Sequence, residues 1–362
     1  MMGRMNIQQA TERYETWLAG HIRVVPSDLA AKHELMRQDA FGFLRATFYR
    51  WMQLFPALCP KTAAAPGVLA VGDLHVENYG TWRDSEGRLV WGINDFDEAF
   101  PLPYTIDLVR LAASAWLAIE LGDVALDPAN TCGAILEGYS KGLEDGGEPF
   151  VLAEKHPWLR EAVTSRLRDP KVFWEKIAAL PPAKPAPVKV RLMLKKAMPE
   201  EGLAFRVAHR RVGMGSLGRE RFTAIADWRG GKIVREAKSL LPSACAWAGG
   251  LSNKEIYYAQ ILSNAVRAPD PFLKVLEGWL MRRLAPYCSR IELGQLPRDH
   301  DKERLLRAMG RELANIHLGT GRARAAVRED LRRRKSKWLG QAAKVMAEAT
   351  QEDWREWRKG TG

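Results

Sequence analysis

Acidic and amide side chains cluster in "GDLHVEN", residues 72–78, and recur in "INDFDEA", residues 93–99. Asn78 follows Asp73 by five positions, and Asp95 follows an apolar, strand-like stretch. This pattern suits metal-assisted phosphoryl transfer. Asp73 would orient and deprotonate an acceptor hydroxyl, while Asn78 and Asp95 would bind Mg²⁺ through oxygen atoms. The alternative is an ordinary Asx-rich turn between two strands.

A glycine-rich stretch, "RRVGMGSLGRERF", places Gly213, Gly215 and Gly218 in a G-x-G-x-x-G pattern. β-Branched and aromatic residues follow the last glycine, so the context is strand, glycines, strand. A dinucleotide-binding loop would instead lead into a helix. The pattern therefore predicts a loop whose backbone N–H groups approach phosphates without interference from a Cβ atom. A plain glycine-rich hairpin turn remains the alternative.

A lysine, Lys238, ends the strand-like segment "KIVREAK" after the glycines. A cation there would neutralise nucleotide phosphates and would need an acidic partner. Glu255, near the start of the next predicted helix, is the expected partner. Glu236 is the competing one, although its position also suits the exposed face of the strand. The alternatives are a surface lysine at a strand end and a first-turn glutamate favoured by the helix dipole.

The surrounding elements predict an α+β fold with two lobes, a small β-rich lobe and a larger helical lobe. Residues 1–180 are mostly helical around strands at 67–71 and 88–94. A proline-rich linker follows at 181–187. Residues 188–290 are rich in strands and contain one helix over 252–268, with Ser252 or Asn253 as its N-cap. Residues 291–362 are helices that include a basic tail.

Bulk properties restrict the partners. The net charge of +12 favours an anionic ligand such as a nucleotide. The four cysteines are scattered without zinc or disulfide spacing, and no apolar stretch is long enough to span a bilayer. We therefore expect a cytoplasmic protein without membrane contact. Nucleic-acid binding has no signature beyond the basic C-terminal tail.

The motifs "GDLHVEN", "INDFDEA" and "PLPYTIDLVRLAAS" resemble the aminoglycoside phosphotransferase branch of the protein-kinase-like superfamily. Over residues 30–330 the chain also looks like the bacterial domain-of-unknown-function 2252 family. The resemblance implies ATP, or another nucleoside triphosphate, and Mg²⁺ as ligands. By the same resemblance, His75 supports the catalytic loop, Asp97 occupies the position that is glycine in protein kinases, and Asp107 braces the loop from a helix.

The order of these parts differs from that of ordinary kinases, in which the glycine loop and lysine precede the catalytic loop. Here they follow it by about 140 residues, and "MGRELANIHLG", which resembles the helix before the catalytic loop, lies near the C-terminus. A circular permutation explains the order, with the proline-rich linker as the new join. The hinge that would contact the base is then expected near "RRLAPYCSR", residues 282–290.

The leading hypothesis is an ATP- and Mg²⁺-dependent phosphotransferase that acts on an unidentified small-molecule or protein hydroxyl. A nucleotide-binding pseudokinase or a nucleotidyl-transferring enzyme on the same fold is the first alternative. The second is a two-metal hydrolase with His75, Asp73, Asp95 and Asp97 as ligands, which would leave the glycine loop and Lys238 without a role.

Overall fold

The computed structural model describes residues 5–122, 126–152, 155–164, 169–183, 185–288 and 299–360. Helices and short strands both contribute, which confirms the predicted α+β class. Within these ranges, no helix combines the length and apolar composition that crossing a membrane requires.

The helices are α1 (Ile7–Ala19), α2 (Pro26–Gln38), α3 (Ala40–Ala46), α4 (Phe48–Leu58), α5 (Pro60–Ala63), α6 (Thr105–Glu120), α7 (Pro128–Asp145), α8 (Pro157–Thr164), α9 (Pro170–Ala178), α10 (Val188–Lys196), α11 (Ala244–Ala248), α12 (Tyr258–Asn264), α13 (Asp299–His317), α14 (Arg324–Arg333) and α15 (Trp338–Lys359). The strands are β1 (Gly67–Ala70), β2 (Tyr79–Arg83), β3 (Leu89–Ile93), β4 (Phe100–Pro103), β5 (Phe150–Val151), β6 (Arg206–Ala208), β7 (Arg221–Trp228), β8 (Gly231–Ser239), β9 (Lys274–Leu276) and β10 (Trp279–Leu284).

The largest core joins most of the helices to the short strands near the N-terminal half of the chain. Its closest helix contact is between α7 and α13, which are far apart in sequence. Gly138 lies so close to the carbonyl group of Arg307 that a Cβ atom would overlap it, and Gly310 meets the carbonyl group of Ile135 in the same way. Glycine thus permits α13 to pack tightly beside α7, where it also reaches β3.

The first predicted strands form, and each pairs with a strand that was not predicted. The segments at 67–71 and 88–94, expected to frame the polar loop, form β1 and β3. Strand β1 pairs with β4, and β3 pairs with β2. Strand β2 was missed because "YGTWR" follows the polar loop directly, without a turn signal between them. The β2–β3 hairpin brings residues 78 and 94 together at its open end, where the Asn94 N–H donates to the Asn78 carbonyl oxygen at 3.0 Å.

A second sheet has five antiparallel strands in the order β6-β7-β8-β10-β9. Its tight turns have positive φ at Arg229 and Gly230 and at Glu277 and Gly278. A smaller core lies on one face beneath α10. Part of the predicted linker 181–187 joins this sheet, because Pro182 bridges to Ala208 at its β6 edge.

The helix predicted over 252–268 is shorter than expected and forms only as α12, Tyr258–Asn264. Asn253 does not cap it. The Asn253 side chain instead accepts a hydrogen bond from the Glu255 N–H at 2.8 Å, which forms a local turn. Glu255 is therefore an exposed residue of an irregular segment rather than part of a helix.

Candidate functional site

A pocket of about 240 Å³ lies between the polar loop after β1, the open end of the β2–β3 hairpin and the five-stranded sheet. Its lining combines residues from sequence-distant motifs: Asp73, His75, Asn78, Asp95, Asp97, Gly213, Gly215 and Lys238. The two halves of the predicted site thus face one cavity. Gly218 lies at the end of the glycine loop, outside the lining.

The loop that carries Asp73 is held from α6 and α13. Both oxygens of the buried Asp107 carboxylate accept backbone N–H groups, from Val71 at 2.7 Å and Gly72 at 2.8 Å. Nε2 of His317, the last residue of α13, lies 2.9 Å from Asp107 Oδ2. Gly72 has φ +85, and a Cβ atom there would overlap the carbonyl oxygen of Glu98. The loop conformation therefore depends on glycine and on Asp107.

The amide side chain of Asn78 closes this loop. Its Oδ1 accepts the His75 N–H at 2.8 Å, and the Asn78 N–H donates to the His75 carbonyl oxygen at 2.9 Å. His75 Nδ1 accepts the Glu77 N–H at 3.2 Å, so this ring nitrogen is an acceptor, and the ring meets Phe41 edge-on. These bonds fix Asn78 beside the pocket, and an amide oxygen retains a second lone pair for a cation.

Asp73 is bound by a residue that sequence reasoning missed, Arg110 of α6. The fully buried guanidinium donates through Nε to Asp73 Oδ1 at 2.9 Å and contacts the same oxygen through Nη2. It packs against the rings of Phe48 and Trp51. Burial raises the pKa of Asp73 to about 7, although Arg110 opposes the change. The available signal was one arginine within the apolar run "LVRLAAS".

Lys238 enters the pocket from β8 and contacts two carboxylates after β3. Its Nζ binds Asp97 Oδ2 directly and lies 4.0 Å from Asp95 Oδ1. Lys238 is buried, whereas the Asp95 side chain is 43% exposed. Burial would raise the pKa of Asp97, but Lys238 and Arg219 together hold it at about 2. Asp97 is therefore a charged partner of Lys238, and Asp95 faces the open part of the pocket.

The expected Lys238–Glu255 pair does not form, since Glu255 is exposed and Lys238 pairs with Asp97. The competing partner, Glu236, does not lie on an exposed face either. It is fully buried and binds Arg210, Arg221 and Arg282. The prediction failed because it placed the partner on a helix that begins three residues later than Glu255.

A buried arginine, Arg219, joins the five-stranded sheet to the segment after β3. It lies directly after the glycine loop and donates to Asp97 Oδ2 at 3.0 Å and Glu98 Oε1 at 2.9 Å. The other oxygen of Glu98 accepts the Ser243 hydroxyl at 2.9 Å and the Ala244 N–H at 2.7 Å. These bonds fix the segment after β3 against the segment after β8, so Asp95 and Lys238 keep their relative positions.

The glycine loop lies against the loop that carries Asp73. Gly213 and Gly218 adopt positive φ, +77 and +91, which favours glycine. A Cβ atom at Gly215 would lie 2.9 Å from the Arg45 carbonyl oxygen and 3.3 Å from Asp73 Oδ2. The loop is thus within van der Waals reach of the predicted base, and its central glycine is required by that close approach.

The oxygen donors around the pocket fit Mg²⁺, which prefers carboxylate and amide oxygens. Asp95 and Asn78 both line the cavity. Asp97 Oδ1 is buried and has no hydrogen-bond partner among the described residues, which leaves a further oxygen available to a cation. The described residues contain no group of three or more His, Cys, Asp and Glu side chains suited to hold a metal. A bound Mg²⁺ would therefore need Asn78 and oxygens of the ligand in addition to Asp95.

The predicted hinge, residues 282–290, extends beyond the described residues at 289 and 290. Within its described part, Leu284, Ala285 and Cys288 line the pocket. Phe173 of α9 also lines it and belongs to the apolar cluster against which Leu284 packs.

Comparison with known proteins gives one match. Residues 23–169 match the model of a family described as "Uncharacterized protein conserved in bacteria (DUF2252)", which supports this part of the resemblance. The matched range includes Asp73, Asn78, Asp95 and Asp107 and ends before the glycine loop and Lys238. No curated protein and no solved structure matches the chain.

Proposed function

We propose that this protein is a phosphotransferase that uses ATP, or another nucleoside triphosphate, with Mg²⁺ to phosphorylate a hydroxyl group of a small molecule or protein. The observation that carries the proposal is the meeting of Lys238 with Asp95 and Asp97 in a pocket that the glycine loop and Asp73 also line. A buried cation, oxygen ligands for Mg²⁺, a glycine loop and a carboxylate base are the parts that phosphoryl transfer requires.

In this proposal each residue has a distinct role. Arg110 occupies Asp73 Oδ1, so Oδ2, on the side of Gly215, accepts the proton of the acceptor hydroxyl. Lys238 contacts the phosphates, and Asp97 with Arg219 positions it. Asn78 and Asp95 hold Mg²⁺, which supplies positive charge to the phosphate oxygens.

The arrangement of elements supports a kinase-like, circularly permuted fold as part of the proposal. The antiparallel sheet carries the glycine loop between β6 and β7 and the lysine on β8. Helix α13 packs beside β1 and β3 and contacts Asp107 through His317, although it comes near the end of the chain. A circular permutation would produce this arrangement. The helix takes the place of the one that comes before the catalytic loop in ordinary kinases, yet here it follows that loop in sequence.

Nucleotide-linked stabilisation tests the proposal. Mg·ATP should raise the melting temperature of the purified protein, by an amount that corresponds to about 2.7 kcal/mol at a hundredfold excess over the dissociation constant. Asp95→Ala should abolish the Mg²⁺-dependent part. Glu86→Ala, which removes an exposed carboxylate at the other end of the same hairpin, should behave as wild type.

Product analysis separates the related hypotheses. ATP labelled on the γ-phosphate should transfer label to the acceptor, or to water in its absence, with release of ADP, and Asp73→Asn should stop the transfer. In a parallel assay with ATP labelled on the α-phosphate, transfer of this label to the acceptor would indicate nucleotidyl transfer instead. Binding without either reaction would indicate a pseudoenzyme. The absence of any nucleotide- and metal-dependent shift in the wild type would refute the proposal.

A further inference from the structure

Next to Lys238, a single buried carboxylate is surrounded by three arginines. The Glu236 side chain is fully buried and accepts hydrogen bonds from Arg210 Nη1 at 3.0 Å, Arg221 Nη1 at 2.7 Å and Arg282 Nε at 2.8 Å. Burial alone would raise the pKa of Glu236, but the three guanidinium groups hold it well below the ordinary value. All three arginines line the pocket. We call Glu236 and these arginines the arginine cluster.

Two arginines of the cluster bind the same carboxylate oxygen. Arg221 and Arg282 both donate to Glu236 Oε1, and the Arg221 side chain is only 5% exposed. Burial and the neighbouring Arg282 and Arg210 lower the pKa of Arg221, although Glu236 opposes the change. A buried cation costs several kcal/mol unless anions compensate it. Arg221 and Arg282 line the pocket, where the negative charge of a ligand can add to that of Glu236, Asp97 and Asp95.

The position of the arginine cluster relates it to the proposed nucleotide site. Glu236 and Lys238 lie two residues apart on one face of β8, roughly 7 Å along the strand. Arg221 is the cross-strand neighbour of Lys238, and Arg282 that of Glu236. The cluster is therefore close enough to the Lys238 ammonium for neighbouring phosphate groups of one ligand to contact both.

Further along the same face of the sheet the side chains are apolar, but helix α9 already covers them. Val234 of β8 and Ile225 of β7 pack with Phe173 and Ile177 of α9. An apolar slot for a base is thus not adjacent to Lys238, and the space adjacent to it is charged. Such a lining favours phosphate oxygens over a purine ring, because guanidinium groups bind phosphate through paired, charge-assisted hydrogen bonds.

We propose that the arginine cluster is a second anion subsite, in which Arg210, Arg221 and Arg282 bind a phosphate group of the ligand beside the Lys238–Asp95 site. The link to catalysis rests on the proposed phosphotransferase function, whereas anion binding itself does not. The phosphate has two possible sources: the phosphate chain of the nucleotide, or a phosphate already carried by the acceptor.

Inorganic phosphate and pyrophosphate serve as probes without nucleotide or Mg²⁺. Each should raise the melting temperature of the wild type more than NaCl does at the same ionic strength. Arg282→Gln should weaken the apparent affinity for phosphate about tenfold or more. The matched control is Arg235→Gln, which removes a buried arginine next to Glu236 on β8, outside the pocket lining, and should keep the wild-type affinity.

Glu236→Gln distinguishes a ligand subsite from a structural network. The substitution removes the only carboxylate of the cluster, so the variant should be less stable in NaCl but gain more stability from phosphate than the wild type does. Loss of the phosphate effect in this variant would contradict the proposal. So would equal phosphate affinity in Arg282→Gln and Arg235→Gln, or a wild type that phosphate stabilises no more than NaCl does.

Two further arms identify the source and separate this inference from the proposed function. Competition between phosphate and Mg·ATP for the cluster indicates the nucleotide's own phosphates, whereas additive stabilisation by phosphate and Mg·ATP indicates an acceptor phosphate. Asp95→Ala should lose the Mg²⁺-dependent nucleotide shift yet retain phosphate binding. If the wild type binds Mg·ATP and Arg282→Gln binds both phosphate and Mg·ATP as tightly as the wild type does, the subsite proposal is refuted while the proposed function stands.

Discussion

Asp95 and Asp97 lie two residues apart, yet the structure predicts opposite consequences for their substitution. Asp97 is 9% exposed and binds the buried Lys238 and Arg219. Its pKa falls from 3.8 to about 2, which corresponds to roughly 2 kcal/mol of stability. Because the folded-state pKa is depressed, this stabilisation is complete above about pH 4 and is lost as the pH falls through 2. Asp97→Asn should therefore reduce the free energy of unfolding at pH 7 by about 3 kcal/mol, since it also leaves buried cations without their partner.

Asp95→Asn should cost less than about 1 kcal/mol, because the side chain is 43% exposed and lies 4.0 Å from Lys238. Urea unfolding at pH 7, followed by tryptophan fluorescence and far-ultraviolet circular dichroism, measures both differences. Coincident transitions would justify a two-state treatment. The nucleotide response should show the reverse order, with Mg²⁺ dependence lost in Asp95→Asn. Equal destabilisation by the two substitutions would refute the assignment of Asp97 as the structural partner of Lys238.

Three further outcomes follow from the geometry. Because burial raises the pKa of Asp73 to about 7 and the base acts deprotonated, kcat/KM should rise as the pH increases through about 7. Arg110→Gln should move this rise in kcat/KM to higher pH, because Arg110 lowers the pKa of Asp73. An unchanged pH profile would contradict the pairing of Arg110 with Asp73. Gly215→Ala should weaken nucleotide binding, since its Cβ would lie 2.9 Å from a backbone oxygen, whereas Gly231→Ala, in open space, should not. Burial raises the pKa of Glu312 from 4.5 to about 7, so this carboxyl should lower the unfolding free energy by about 3 kcal/mol as the pH rises from 4.5 to 7. Glu312→Gln should flatten that part of the stability profile measured by urea unfolding.

The local parts of the site were predictable from sequence. Turn residues, strand periodicity and the glycine spacing predict β7, β8 and the loop before them, and the structure contains all three. The polar pattern around Asp73 and Asp95 identifies residues that the structure brings into one pocket. These inferences succeed because each depends on neighbours within a few positions of the chain.

The partners of the charged groups were not predictable. Arg110 and Asp73 are 37 residues apart, and Arg219 and Asp97 are 122 apart, so their pairing depends on packing that no local pattern records. Glu255 was assigned to Lys238 by its place on an expected helix, and the assignment failed when Asn253 formed a turn instead. Strand β2 was missed because it has no turn signal before it.

Residues 25–42, which span α2 and the start of α3, contact the glycine loop on both sides. This segment carries none of the proposed catalytic groups. The Val25 N–H donates to the Gly218 carbonyl oxygen at 2.8 Å, and the buried Asp28 binds Arg211 at 2.7 Å just before the loop. Met214, in the loop itself, rests against Gly42 of α3. Any movement of the glycine loop away from Asp73 must therefore strain or break these N-terminal contacts, which couples the position of the loop to a region remote in sequence.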